Sequence, residues 1–343
     1  MITRSYIRRA AAKSLALMSL LCCVALSACN DLIYDDEGDC TYRVHFRYDY
    51  NMKYADAFAH EVSYVTLYVL DTDGNVVWQK TEEGDALARD GYSMVVDIDP
   101  GKYSLLAWCG TKEFGSFAVP QSTLATDLTC TLNRSRDAEG QAYVDTDVDR
   151  LFHGWLAETR YSDKDGIYSD TVPLIKDTNV FRIVLQHTSG DDVDVNKFTF
   201  TITDDNGSMD WDNSLLDDET LTYYAWHTDQ GEAEIYTGME MGDVRHSTFC
   251  AAVAELTTSR LVVGHDPRLT ITNNETGALV LSIPLIDYAL LVKGYYNQDM
   301  DDQEYLDRQD EYDMVFFLDE GDRWEDTEIY INSWHVVLQN KAL

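Results

Sequence analysis

The sequence predicts an all-β chain built as two tandem β-sandwich domains. Three observations predict it. Apolar and polar residues alternate over short segments. Turn residues interrupt those segments every ~8–12 residues. One strand–turn–Trp unit occurs twice in matched register, 133 residues apart.

The first 28 residues stand apart. Arg4, Arg8, Arg9 and Lys13 are followed by an apolar run from Leu15 to Leu26. The run is too short to span a bilayer, which takes roughly twenty residues. A basic start, a short apolar centre and small residues before a break describe a signal peptide over 1–28. Leu26-Ser27-Ala28-Cys29 resembles a bacterial lipobox. That motif implies cleavage before Cys29 and acylation of its thiol. Two or more acyl chains hold a protein stably at a membrane, whereas one does so only marginally. Residues 29–40 then read as a lipidated acidic tether. Its Tyr34-Asp35-Asp36-Glu37-Gly38-Asp39 stretch resembles surface-export signals of Bacteroidetes lipoproteins, and a solvated linker explains the same residues.

Removing residues 1–28 takes away four cations and no acid, so the formal charge moves from −35 to −39. Such a surface repels nucleic acid and anionic head groups. Nucleic acid is therefore excluded as a partner. With 45% hydrophobic and 12% aromatic residues the remaining chain can bury a core, so it is not a disordered one. Its length suits two domains, placed at 41–170 and 171–343.

Residues 41–48 open the first domain. Tyr42, Val44, Phe46 and Tyr48 share one face, and Arg43, His45 and Arg47 the other. Period two with one polar face marks a half-buried strand. Val65, Leu67 and Val69 alternate next. Asp71-Thr72-Asp73-Gly74-Asn75 turns the chain and Val76-Val77-Trp78 returns it, with Gly74 supplying a positive φ. Residues 92–98 and 103–109 read as strands around Asp99-Pro100-Gly101, which suits a type II turn. Helical patterning is sparse, with candidates at 51–58 and 303–313.

The second domain repeats the hairpin. Val62, Thr66, Asp71, Gly74 and Trp78 align with Val195, Thr199, Asp204, Gly207 and Trp211. Phe198, Phe200 and Ile202 point inward. Matched hairpins suggest two domains of similar fold. Further strands fall at 180–186, 269–272, 278–285, 314–318 and 329–338.

The sequence holds no HExxH, no GxSxG and no GxxxxGK[ST]. No catalytic, cofactor-binding or metal-binding residue is assigned, and the chain reads as a non-enzyme. His45, His153 and His187 read as packed or surface residues. Asp71, Asp73, Asn75 and Glu82 match four positions of a calcium loop, but Val76 stands where that loop needs glycine. Cys40, Cys109, Cys130 and Cys250 permit three disulfide pairings or buried free thiols, and without a CxxC pair they do not suggest zinc.

A series of segments resembles the fimbrial anchor family of Bacteroidales, the FimB/Mfa type of the type V pilus system. They are Ile33-Tyr34-Asp35-Asp36, Tyr48-Asp49-Tyr50-Asn51-Met52-Lys53, Val65-Thr66-Leu67-Tyr68-Val69, Pro100-Gly101-Lys102-Tyr103 with Ala107-Trp108, and Leu151-Phe152-His153-Gly154. Later come Thr258-Ser259-Arg260-Leu261, Ile283-Pro284-Leu285, residues 305–312 and Ile331-Asn332-Ser333-Trp334. The resemblance implies two transthyretin-like domains and an outer-membrane lipoprotein that holds fimbriae to the cell and limits their length. It implies pilin subunits as partners, joined by donor-strand exchange, which is β-strand addition. On this view residues 41–48 stay in place. Ile329, Ile331, Trp334, Val336 and Leu338 form a candidate donor strand, with a change of phase near Ser333. A plain edge strand explains the same pattern. A fimbrial tip adhesin is one alternative. A surface glycan binder is another, using Trp155, Trp211, Trp226, Tyr223 and Tyr224.

Overall fold

A computed structural model describes residues 41–162, 164, 166–237, 245–294, 297–325 and 328–337. The strands of the first half are β1 (Thr41–Arg47), β2 (Tyr64–Leu70), β3 (Val76–Glu83), β4 (Met94–Val96), β5 (Gly101–Cys109), β6 (Phe117–Ala118), β7 (Cys130–Leu132), β8 (Ser135–Arg136), β9 (Ala142–Val144), β10 (Phe152–Tyr161) and β11 (Ile167–Lys176). The second half adds β12 (Thr178–His187), β13 (Phe198–Asp204), β14 (Ser208–Met209), β15 (Leu221–Tyr224), β16 (His227–Thr237), β17 (Arg245–Ser259), β18 (Arg268–Asn273), β19 (Leu279–Pro284), β20 (Glu311–Leu318), β21 (Glu328–Ile331) and β22 (Trp334–Val337). Among the described residues three short α-helices accompany them: α1 (Phe58–Glu61), α2 (Leu285–Leu291) and α3 (Asp302–Arg308). The chain is mostly β, as its alternation predicts.

The first seven-stranded sheet runs β3-β2-β5-β10-β11-β1-β4. The β1, β4 and β11 side supplies Tyr42, Val44, Phe46, Met94, Val96, Val172 and Leu174 to a core. The β2 and β5 side supplies Val65, Leu67, Val69, Leu105 and Ala107 to the same core. Period two in β1 is borne out, with Tyr42, Val44 and Phe46 buried. In β2 both faces are buried, because Tyr68 and Leu70 enter a second core.

That second core lies mainly between two six-stranded sheets, β16-β17-β12-β20-β21-β22 and β19-β18-β13-β15-β9-β8. Phe181, Ile183 and Leu185 of β12 meet Phe198, Phe200 and Ile202 of β13 there. It is continuous with Leu106 and Trp108 on the outer face of the first sheet. The segment between β6 and β9 joins the two halves. Strand β7 pairs with β14, and β9 runs parallel to β15.

Both halves share a pairing rule. Strand β1 lies between β11, parallel, and β4, antiparallel. Strand β12 lies between β20, parallel, and β17, antiparallel. Each half thus begins with a strand inserted between two others and parallel to a later one.

Several sequence expectations change. Strand β2 pairs along its length with β3, but β13 has no immediate return arm. The chain detours through β14 and comes back as β15, which fills the place beside β13 that β3 fills beside β2. Gly74 has φ +83, whereas Gly207 has no positive φ. Gly207 is needed for space, since a Cβ there would stand 2.6 Å from both Arg134 and Leu221. Pro100-Gly101 is not a hairpin turn, because β4 pairs with β1 while β5 pairs with β2 and β10. Gly101 has no positive φ, so the type II geometry is absent. Position 170 falls inside β11, whose partners belong to the first sheet, so the change of sheet follows Lys176. The expected helix at 51–58 is absent, since only Phe58 of that stretch is helical, as the first residue of α1, and Leu285 starts α2 instead of ending a strand.

Candidate functional site

The C-terminal strand expected over 329–338 is a hairpin. Residues 328–331 form β21, and the chain reverses at once into β22. Asn332 (φ +48) and Ser333 (φ +69) occupy the two turn positions. Positive φ at both is the type I′ geometry that matches strand twist. The change of phase near Ser333 is this turn. Asn332 also fastens the turn to the neighbouring strand. Its N–H donates to the Asp313 carbonyl and its Oδ1 accepts from the Asp313 N–H, both at 2.8 Å. Asn at the first turn position was a readable signal for the reversal.

Ile331 pairs with Met314 and Tyr330 with Val315, so β21 extends the sheet from β20. Ile329 and Ile331 are fully buried in the protein's own core. Among the described residues β22 ends the sheet order. Its Trp334 is 54% exposed, while Val336 packs against the core from the edge. The Tyr330 and His335 rings stack across the hairpin at 4.7 Å. A small groove of about 100 Å³ adjoins the turn, lined by Met52, Val292, Tyr305, Gln309, Asn332 and Trp334 among others. The hairpin therefore presents a strand edge and an exposed indole, while its isoleucines hold it to the body. Leu338 and Cys29 lie outside the described residues.

The opposite requirement, a closed first domain, rests on β1. Its three buried side chains face the first core from one strand inside the sheet edge, between β11 and β4, and Tyr48 just beyond it packs edge-on against Phe152 at 5.0 Å.

Other candidate residues are used in packing. Tyr223 is buried and donates to Asn206. Trp155 and Trp211 pack against each other, and Trp226 donates to Thr257. Tyr224 is 40% exposed. His153 is buried, with Nε2 2.9 Å from the Trp211 carbonyl, and burial holds its pKa down to about 4. His45 bonds the Tyr92 carbonyl, and His187 lies 3.2 Å from Asp322. The Asp71 carboxylate accepts from the Asp73 and Asn75 backbone N–H groups and from the Asn75 amide, and Glu82 accepts from Tyr92. Cys109 and Cys130 are buried free thiols, and burial pushes both pKa values up. Cys40 and the Cys250 side chain lie outside the described residues. No described helix is long and apolar enough to cross a membrane.

The family of fimbrillin-A associated anchor proteins Mfa1 and Mfa2 matches residues 36–340. The chain belongs to that family. It is a family of fimbrial anchors and not of enzymes. Among solved structures, a candidate adhesin of Bacteroides thetaiotaomicron is 36% identical, with a TM-score of 0.76 over 89% of this chain and 100% of its own. A candidate polysaccharide-binding protein of the same organism is 30% identical, with a TM-score of 0.73 over 89% and 100%. The fimbrial anchor protein Mfa2 of Porphyromonas gingivalis shares the fold at 16% identity, with a TM-score of 0.63 over 87% and 99%. No curated protein sequence matches the chain.

Proposed function

We propose that this anchor-family member is an outer-membrane lipoprotein, held by acyl chains on Cys29, that fixes fimbriae to the cell. It contacts the last pilin subunit by strand addition at β22 and ends the polymer because β1 leaves the first domain no open groove. Two units, 41–176 and 178–337, divide these tasks. The observation that carries the reading is the C-terminal hairpin: a terminal strand edge with an exposed Trp334, tied to the core by Ile329 and Ile331. Backbone hydrogen bonds along such an edge supply affinity, and side-chain pockets supply specificity.

Truncation separates the roles of the two hairpin arms. A chain ending at Ser333 keeps the buried isoleucines and loses β22. The expected result is a folded protein and fimbriae shed into the medium. Fimbriae retained on cells that carry the folded truncation would refute the strand-addition role. Ending the chain at Glu328 removes the isoleucines as well, and is expected to unfold the second half.

A second reading is an adhesin or glycan binder, favoured by the descriptions of the two relatives at 36% and 30% identity. A glycan array probed with the purified chain separates it from the first. Saturable binding to one glycan class supports it, and a blank array removes it.

A further inference from the structure

Asp204 closes β13 at the turn that matches Asp71 in the first half. The two carboxylates have different surroundings. Asp71 is solvated, and three donors on Asp73 and Asn75 occupy it. Asp204 is only 5% exposed and its Oδ1 accepts a single bond, from the Asp205 N–H. Its Oδ2 is buried with no hydrogen-bond partner. The residues that would supply such partners are turned elsewhere. Asn206 donates to the Ser259 and Arg260 carbonyls and accepts from Tyr223.

What does face Asp204 is a carboxylate and an imidazole. Asp205 and His265 are the charged groups acting on it most strongly. His265 Nδ1 lies 2.7 Å from Asp205 Oδ1. One donor atom from each of Asp204, Asp205 and His265 lies within 4.8 Å of the others.

We infer that Asp204, Asp205 and His265 form a binding site for a divalent cation of the zinc type. Zinc bonds to imidazole nitrogen and carboxylate oxygen are roughly 2.0–2.2 Å, which puts tetrahedral donors about 3.4 Å apart. Donors within 4.8 Å reach that spacing by side-chain rotation, since Asp205 is exposed and His265 is partly so. A mixed nitrogen and oxygen set suits zinc better than calcium or magnesium, which prefer oxygen alone. The solvent side leaves the fourth position to water. The ion ties the end of β13 to the loop between β17 and β18, where Gly264 (φ +98) allows the chain to present His265. Its role is to staple, not to catalyse. This site is independent of the fimbrial reading.

The test is calorimetric titration of the full-length, tag-free chain, stripped with chelator, with ZnCl2 and separately with CaCl2. The expected result is one zinc per chain, at least tenfold weaker binding in both Asp204→Asn and His265→Ala, and a rise in thermal midpoint with zinc in the parent alone. His265→Ala changes a partly exposed side chain, so it remains informative if Asp204→Asn misfolds. No saturable zinc binding would overturn the inference. So would binding unchanged in His265→Ala, or binding of calcium in preference to zinc. A proton shared between the two carboxyls satisfies the same oxygen, and in that case zinc produces no saturable heat.

Discussion

His153 shows what a single buried side chain contributes. Its ring packs edge-on against Trp108 at 4.8 Å, and its Nε2 meets the Trp211 carbonyl. Neutral imidazole donates that bond, while protonation would bury a charge. The folded pKa is depressed from 6.5 to about 4. The folded state then binds fewer protons than the unfolded one, so this stability is fully present above pH 6.5 and is lost as pH falls towards 4. At pH 5 the loss is about 2 kcal/mol. Other buried groups titrate in the same window, Asp204 among them with the opposite sign, so the readout is the difference in urea unfolding between variant and parent. In going from pH 7 to pH 5, His153→Gln should lose about 2 kcal/mol less stability than the parent, while being less stable at pH 7. Gly110 makes a steric prediction. It has φ +94, and a Cβ would stand 2.0 Å from the Arg150 carbonyl oxygen. Gly110→Ala is expected to cost about 3 kcal/mol in the same assay. Neither effect could be read from sequence. A histidine in an apolar strand does not say which carbonyl it meets, and a glycine at a strand end does not say what crosses it.

At the scale of elements, the terminal hairpin makes the clearest prediction. Ser333 sits at φ +69, which costs a residue with a Cβ and suits glycine. Ser333→Gly creates an Asn-Gly turn and should stabilise the hairpin by about 0.5–1 kcal/mol. Slower amide exchange across β21 and β22 would show it, and unchanged exchange would count against the turn assignment. Strands were legible from period two, as β1, β13 and β18 show. Their partners were less so. Residues 99–101 looked like a hairpin turn yet carry the chain between non-adjacent strands, because pairing is decided by the facing layers. The second hairpin lost its return arm for a similar reason. Strand β14 found β7, and the place beside β13 waited for β15.

For the whole molecule, the two halves are joined by core and by charge. Lys176 is buried at the end of β11. Its Nζ meets Glu61 at 3.0 Å and also pairs with Asp310 just before β20. Removing the amine leaves two carboxylates facing each other. Lys176→Met should cost about 3 kcal/mol, the lower end of the range for buried pairs, because both acids keep some access to water. Adding Glu61→Gln and Asp310→Asn should restore most of that stability. A triple variant as unstable as the single one would show that packing and not charge is at fault. The repeat in the sequence pointed to two similar halves, and the parallel pairs β1 with β11 and β12 with β20 express it. The crossing segment between β6 and β9 was not foreseen, since its strands are only two or three residues long and too short to show a period.

The central claim is that this chain sits at the cell end of a fimbrium with its first strand intact. Native fimbriae purified from cells, with each subunit's mature N-terminus determined by mass spectrometry, test it most directly. The expected result is this chain at low ratio to a major pilin, beginning at acylated Cys29 and retaining residues 41–47. A chain beginning beyond Tyr48, or absent from the fimbriae, would contradict it.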